Sequence, residues 1–154
     1  MEEKRKIEQK EILDEKGLLE YTIIPNYKEK KPFLTNNEIK LYKTLKKIAY
    51  ELKLTVFTQV ALNRIIEVNN ERKNQQLFNR ICSKSIDFIL YDEEKNKIKY
   101  CIELNDKTHN NIERKERDVF LEKIFKLNDI KLIYIKTEIY YNIGKIKVLI
   151  KEAS

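Results

Sequence analysis

At 154 residues and 42% hydrophobic content the chain can bury one real core, so its 37% of charged residues decorate a globular domain and do not signal disorder. The formal net charge of +7 permits a polyanionic partner such as nucleic acid without demanding one, because a lysine-rich solvated surface gives the same number. Two cysteines and a single histidine exclude a disulfide framework and a zinc cage, and no run approaches the ~18 apolar residues of a membrane span.

Residues 1–33 read as a charged, helical lead, then an extended piece, YTIIPNY, and a KEKKP break. The opening MEEKRKIEQKE lacks the apolar core of a secretion signal, so a cytoplasmic, reducing setting with no membrane is expected. Residues 34–154 are expected to form the main domain. Its first element is an amphipathic helix in LTNNEIKLYKTLKKIAYEL, with Thr35 or Asn36 as N-cap and Ile39, Tyr42, Leu45, Ile48, Ala49 and Leu52 at helical spacing. LTVFTQVAL, 54–62, predicts a strand. Residues 63–84 are polar and irregular, a basic insertion in which Arg64, Arg72, Lys73, Arg80 and Lys84 face only Glu67 and Glu71.

SIDFIL and YCIELNDKTH then predict two strands joined by the turn DEEKNK. NIERKERDVFLEKIFKLND, 111–129, predicts a second helix with Ile112, Val119, Ile124 and Leu127 among its apolar positions, LIYIKT a short strand, and IGKIKVLIKEA a closing helix. Three sequential strands, a crossover helix and a further strand imply an α/β fold, with a mixed sheet and helices on both faces.

Chemistry concentrates in the hairpin. If Tyr91 pairs with Lys99, the two-residue period of a strand sets Asp87 and Glu103 directly opposite one another on one face, about 5 Å apart. Strand-borne acids commonly do no more than face solvent. Here Ile86, Phe88 and Leu90 pattern with Ile98, Tyr100, Ile102 and Leu104 on one face, while Ile89 and Cys101 accompany the acids on the other. Carboxylates in a sheet that is apolar on both sides need partners, and a divalent cation is the usual one.

The ordered series LTNNEIKLYKTL, VFTQVAL, NRICSKSIDFIL, IELNDKTH and RKERDVFLEKIF resembles the PD-(D/E)XK nuclease superfamily over about residues 34–137. More narrowly it is similar to a bacterial domain family of unknown function with an ELDDKSH-like strand end, related to very-short-patch-repair-type endonucleases. The resemblance implies a restriction-endonuclease-like three-layer αβα sandwich with core order αβββαβ. It implies Asp87 and Glu103 as ligands of Mg²⁺ or Mn²⁺, with the Leu104 backbone carbonyl as a third and Glu38 as an accessory acid on the first helix.

The sequence departs from that pattern at one place: the superfamily's lysine two residues after the third-strand acid is replaced by Asn105, which brings no charge to orient a water. Lys107 could supply the missing ammonium. His109, the only histidine, lies six residues past Glu103, as in the repair-type pattern, and could position a water or protonate a leaving group. Arg114 and Arg117 could clamp phosphate, and Asp118 could orient His109 or an arginine. Gln59, Arg80, Lys84 and Asn105 are the remaining candidates for contacts to nucleic acid, although a charged helix turn is ordinarily just solvated.

These features lead to the expectation of a metal-dependent nuclease acting on nucleic acid, DNA before RNA. The competing expectation is a catalytically silent nucleic-acid-binding or assembly module, for which Asn105 is the best support. A plain scaffold comes third.

Overall fold

The computed structural model describes residues 27–70, 72–105 and 112–153, the side chains of 112–114 excepted. The chain divides into two units, Met1–Phe33 and Leu34–Ser154, and every element below belongs to the second. The helical lead expected near the start lies outside the described residues.

Helix α1 spans Asn36–Leu52. Thr35 is its N-cap, and a reciprocal capping box joins the Thr35 side chain to the Glu38 N–H and the Glu38 carboxylate to the Thr35 N–H, satisfying two donors that a helix start otherwise leaves open. Its buried stripe is Leu41, Leu45, Ile48 and Ala49. Leu41 takes the inward place, and Leu52, expected in the stripe, is 43% exposed because it falls in the last turn. Lys53 then adopts a left-handed φ of 55° and ends the helix.

Strand β1, Thr55–Ala61, follows. Residues 63–84 are more ordered than their polarity suggests: after a short 3₁₀ turn at Leu62–Arg64, helix α2 runs from Gln75 to Cys82. Eight residues were too few for the polar pattern to disclose it, and tertiary burial of Ile81 supplies the anchor.

β2, Ser85–Asp92, and β3, Lys97–Asn105, form the expected hairpin. One detail differs. Leu90 pairs with Tyr100 but Tyr91 pairs with Ile98, so Lys99 is an extra residue in a bulge and does not pair with Tyr91. The bulge confines the shift to the turn end, and Ile89↔Cys101 and Phe88↔Ile102 keep the register that brings Asp87 opposite Glu103.

Helix α3, Ile112–Leu127, connects to β4, Lys131–Lys136, and helix α4, Ile143–Glu152, ends the unit. The inward face of α3 carries Leu121 and Phe125, whereas Val119 and Leu127, predicted as apolar-face positions, are exposed. A few apolar residues among many charges left the phase of that helix open, and packing chose it.

The sheet order is β1-β2-β3-β4, antiparallel except for the parallel β3–β4 pair. One apolar layer joins α1 and α4 to Phe88, Leu90, Ile102, Ile133 and Ile135; the other joins α2 and α3 to Ile86, Ile89 and Cys101. The fold is therefore an α/β three-layer sandwich on a mixed sheet, and the central strands are apolar on both faces because helices cover both. Among the described residues no helix is long and apolar enough to cross a membrane.

Phe88 is fully buried at the centre of the first layer. Phe88→Ala is expected to lower unfolding stability by about 3–5 kcal/mol, read from urea denaturation.

Candidate active site

The β2–β3 ladder pairs Phe88 with Ile102, and immediately beyond that pair the two strands stop serving one another. The Leu104 N–H, which a continued ladder would direct to a carbonyl, instead donates to Asp87 Oδ2 at 2.8 Å. The Asp87 main chain lies near enough to the Glu103 carboxylate to favour its charged form, the smallest of the influences on that acid. Asp87 thus caps a main-chain donor of the neighbouring strand, which fixes its side chain at the point where the sheet opens.

Three further groups close around them. Gln59 lies opposite Asp87 on β1, at a position with no ladder partner and a left-handed φ of 51°. Its Nε2 donates to Glu38 Oε1 at 2.7 Å and to Asp87 Oδ1 at 3.4 Å, and its Oε1 accepts from Ser85 Oγ at 3.3 Å. Glu38 also accepts from the Thr35 N–H through Oε2 at 2.7 Å, so both of its oxygens are engaged. From α3, Arg117 Nη2 donates to the Ser85 carbonyl at 3.1 Å and reaches Glu103 Oε1 and Oε2 at 3.4 and 3.3 Å. One –NH₂ group spread over three oxygens at such lengths makes a loose ion pair with Glu103.

The acids line a polar cavity of about 210 Å³ with Thr35, Asn37, Glu38, Leu104, Arg117 and Thr137. Glu103 is only 5% exposed. Burial, and then the charge of Asp87, push its carboxyl up to about 7, and Arg117 offsets only part of this. Asp87 is also raised, by burial first and by Glu38, against the lowering effect of the Leu104 N–H. The pair therefore carries less positive charge nearby than it needs to ionise fully.

Among the predicted residues, the structure brings together Asp87, Glu103, Leu104, Glu38, Gln59 and Arg117. Asp118 lies close enough to raise Glu103. Arg80 and Lys84 do not line the cavity: Arg80 stacks over the Phe120 ring at 4.2 Å, and the Lys84 ammonium donates to the Arg80 carbonyl. The Asn105 carbonyl accepts from the Thr137 N–H at 3.1 Å, tying the ends of β3 and β4. Lys107, His109 and the Arg114 side chain lie outside the described residues.

Sequence reasoning missed Tyr134, which pairs with Glu103 across β3–β4 and completes a polar row of Gln59, Asp87, Glu103 and Tyr134 over all four strands. Its hydroxyl is buried with no partner among the described residues, and burial raises its pKa, with Asp118 adding to the effect. No local signal could have found it, since a parallel register depends on how the crossover helix seats.

The raised carboxyl has a consequence for stability. Glu103 titrates near 4.5 when unfolded and about 7 in the fold, so the native state binds the extra proton between those values. The contribution of this group to stability is therefore fully present below that window and is lost as pH rises through it, an effect on the order of 3 kcal/mol. Glu103→Gln is expected to abolish that slope in chelator-treated protein followed by urea denaturation at stepped pH.

No curated protein and no solved structure matches the chain. The profile of one family, described as "Protein of unknown function (DUF2726)", matches residues 30–153, which takes in all four strands and the acid pair. With that much of its length matched, the chain belongs to the DUF2726 family.

Proposed function

We propose that this protein is a metal-dependent nuclease that hydrolyses phosphodiester bonds in nucleic acid, DNA in the first instance, and that its site is of the PD-(D/E)XK kind. The observation that carries the proposal is the pair of carboxylates, Glu103 buried and Asp87 half-buried, held where β2 and β3 part, lining one polar cavity and short of positive charge.

The residues fit a hard divalent cation. Asp87 and Glu103 offer carboxylate oxygens, and Leu104, also at the cavity wall, offers its carbonyl. Two carboxylates suffice for Mg²⁺ or Mn²⁺, ions that keep several waters. When bound, such an ion supplies Lewis acidity towards the phosphate and lowers the pKa of a water.

The chain's own side chains do the rest. Arg117, loosely held by Glu103, turns its remaining N–H groups to the phosphate and offsets charge developing there. Thr35 and Asn37, at the start of α1, bring the positive end of a seventeen-residue helix to the cavity. Arg80 on α2, stacked against α3, extends a basic surface that follows the backbone without reading sequence.

A second reading, a silent nucleic-acid-binding or assembly module, draws on Asn105 in place of the superfamily's lysine and on the Arg117–Glu103 ion pair, which offsets part of the charge of one acid without any ion. Nicking of supercoiled DNA separates the two. With Mg²⁺ or Mn²⁺ the wild-type protein is expected to cut, and Asp87→Ala and Glu103→Ala to lose on the order of a hundredfold or more. Equal cutting by Glu103→Ala sinks the nuclease reading, and metal-independent DNA binding without cutting supports the silent module. In either reading, DNA affinity is expected to fall steeply between about 50 and 200 mM salt, measured by fluorescence anisotropy.

A further inference from the structure

Glu38 resembles an accessory metal ligand in sequence, yet both of its oxygens are already in use, one for the Thr35 N–H and one for Gln59. Gln59 therefore stands between Glu38 and Asp87. Its orientation is fixed by chemistry: two carboxylates can only accept, so the –NH₂ end must face them, and the carbonyl end receives the Ser85 hydroxyl. The backbone at Gln59 is held at a φ of 51°, a left-handed conformation that a long side chain in a strand rarely adopts. Neighbours on two elements, α1 and β2, hold that conformation, which is how strain persists where a side chain must be aimed.

We infer that Gln59 is a positioning residue, an amide relay through which Glu38 of α1 fixes the Asp87 carboxylate for cation binding, with Glu38 itself making no bond to the ion. The relay holds Asp87 from one side as the Leu104 N–H holds it from the other, so the carboxylate cannot rotate. Second-layer groups of this sort typically change metal affinity ten- to a hundredfold. The inference rests on the metal reading above and adds to it the division of labour between the three acids.

The test uses two conservative variants of the full chain. Glu38→Gln keeps the capping box, where glutamine also serves, but its single amide oxygen cannot satisfy both Thr35 and Gln59. Gln59→Asn keeps an amide and tolerates the left-handed backbone, but is too short to bridge two carboxylates. Each is expected to leave the melting temperature within a few degrees and to weaken Mn²⁺ binding in calorimetry by roughly ten- to a hundredfold. The double variant is expected to be no weaker than the worse single one, because both break one relay. Unchanged affinity in either variant, or losses that multiply in the double, overturns the inference.

A metal-free measurement keeps the two readings separable. In the ¹⁵N NMR spectrum of the apo protein the Gln59 side-chain amide is expected to shift in both Glu38→Gln and Asp87→Asn. If wild-type protein bound no Mn²⁺, the metal reading would fall, and an unmoved Gln59 amide would independently overturn the relay.

Discussion

Two carboxylates facing one another on a sheet covered by helices on both faces are the constraint on which the rest of this molecule turns. Like charges at that range repel, and burial removes the water that would otherwise screen them. The fold answers with donors from several sides: the Leu104 N–H and the Gln59 amide on Asp87, and the Arg117 guanidinium on Glu103. The remaining deficit appears as the raised carboxyl of Glu103. In the metal-dependent reading proposed above, that deficit is what a divalent cation fills.

The architecture explains why this happens at one end of the sheet only. At the turn end the bulge at Lys99 absorbs a one-residue shift, and the strands remain paired through Asp92↔Lys97. At the other end no bulge intervenes, and the ladder is ended by side chains that take over its hydrogen bonds. Helix α1 enters with its N-terminus and α3 with Arg117, and the cavity lies where the first turn of α1 and the Arg117 side chain meet the open strand ends. The parallel β3–β4 pair, which needs the α3 crossover, is what brings that helix over Glu103.

Much of this was legible in the residues. The period of two in SIDFIL and YCIELN placed Asp87 and Glu103 on one face, and the register assumed for them holds next to the site even though the Tyr91–Lys99 pairing does not. Thr35 was one of two N-caps the residues offered, and apolar strands on both faces announced a covered sheet. Helix α2 and the phase of α3 were less accessible, because short or charge-rich helices take their inward face from what they pack on.

The sequence alone determined the element order of the main unit, the mixed sheet and the opposed acids, since these follow from side-chain periodicity and strand pairing, which act over a few residues. Only the tertiary structure decided that Glu38 speaks to Asp87 through Gln59, that Arg117 is pledged to Glu103, and that Tyr134 completes the row. Those contacts join residues 14 to 32 positions apart, on elements whose separation and rotation are set by how two apolar layers close on a twisted sheet. No periodicity in a linear chain encodes such distances, and only the packed core fixes them.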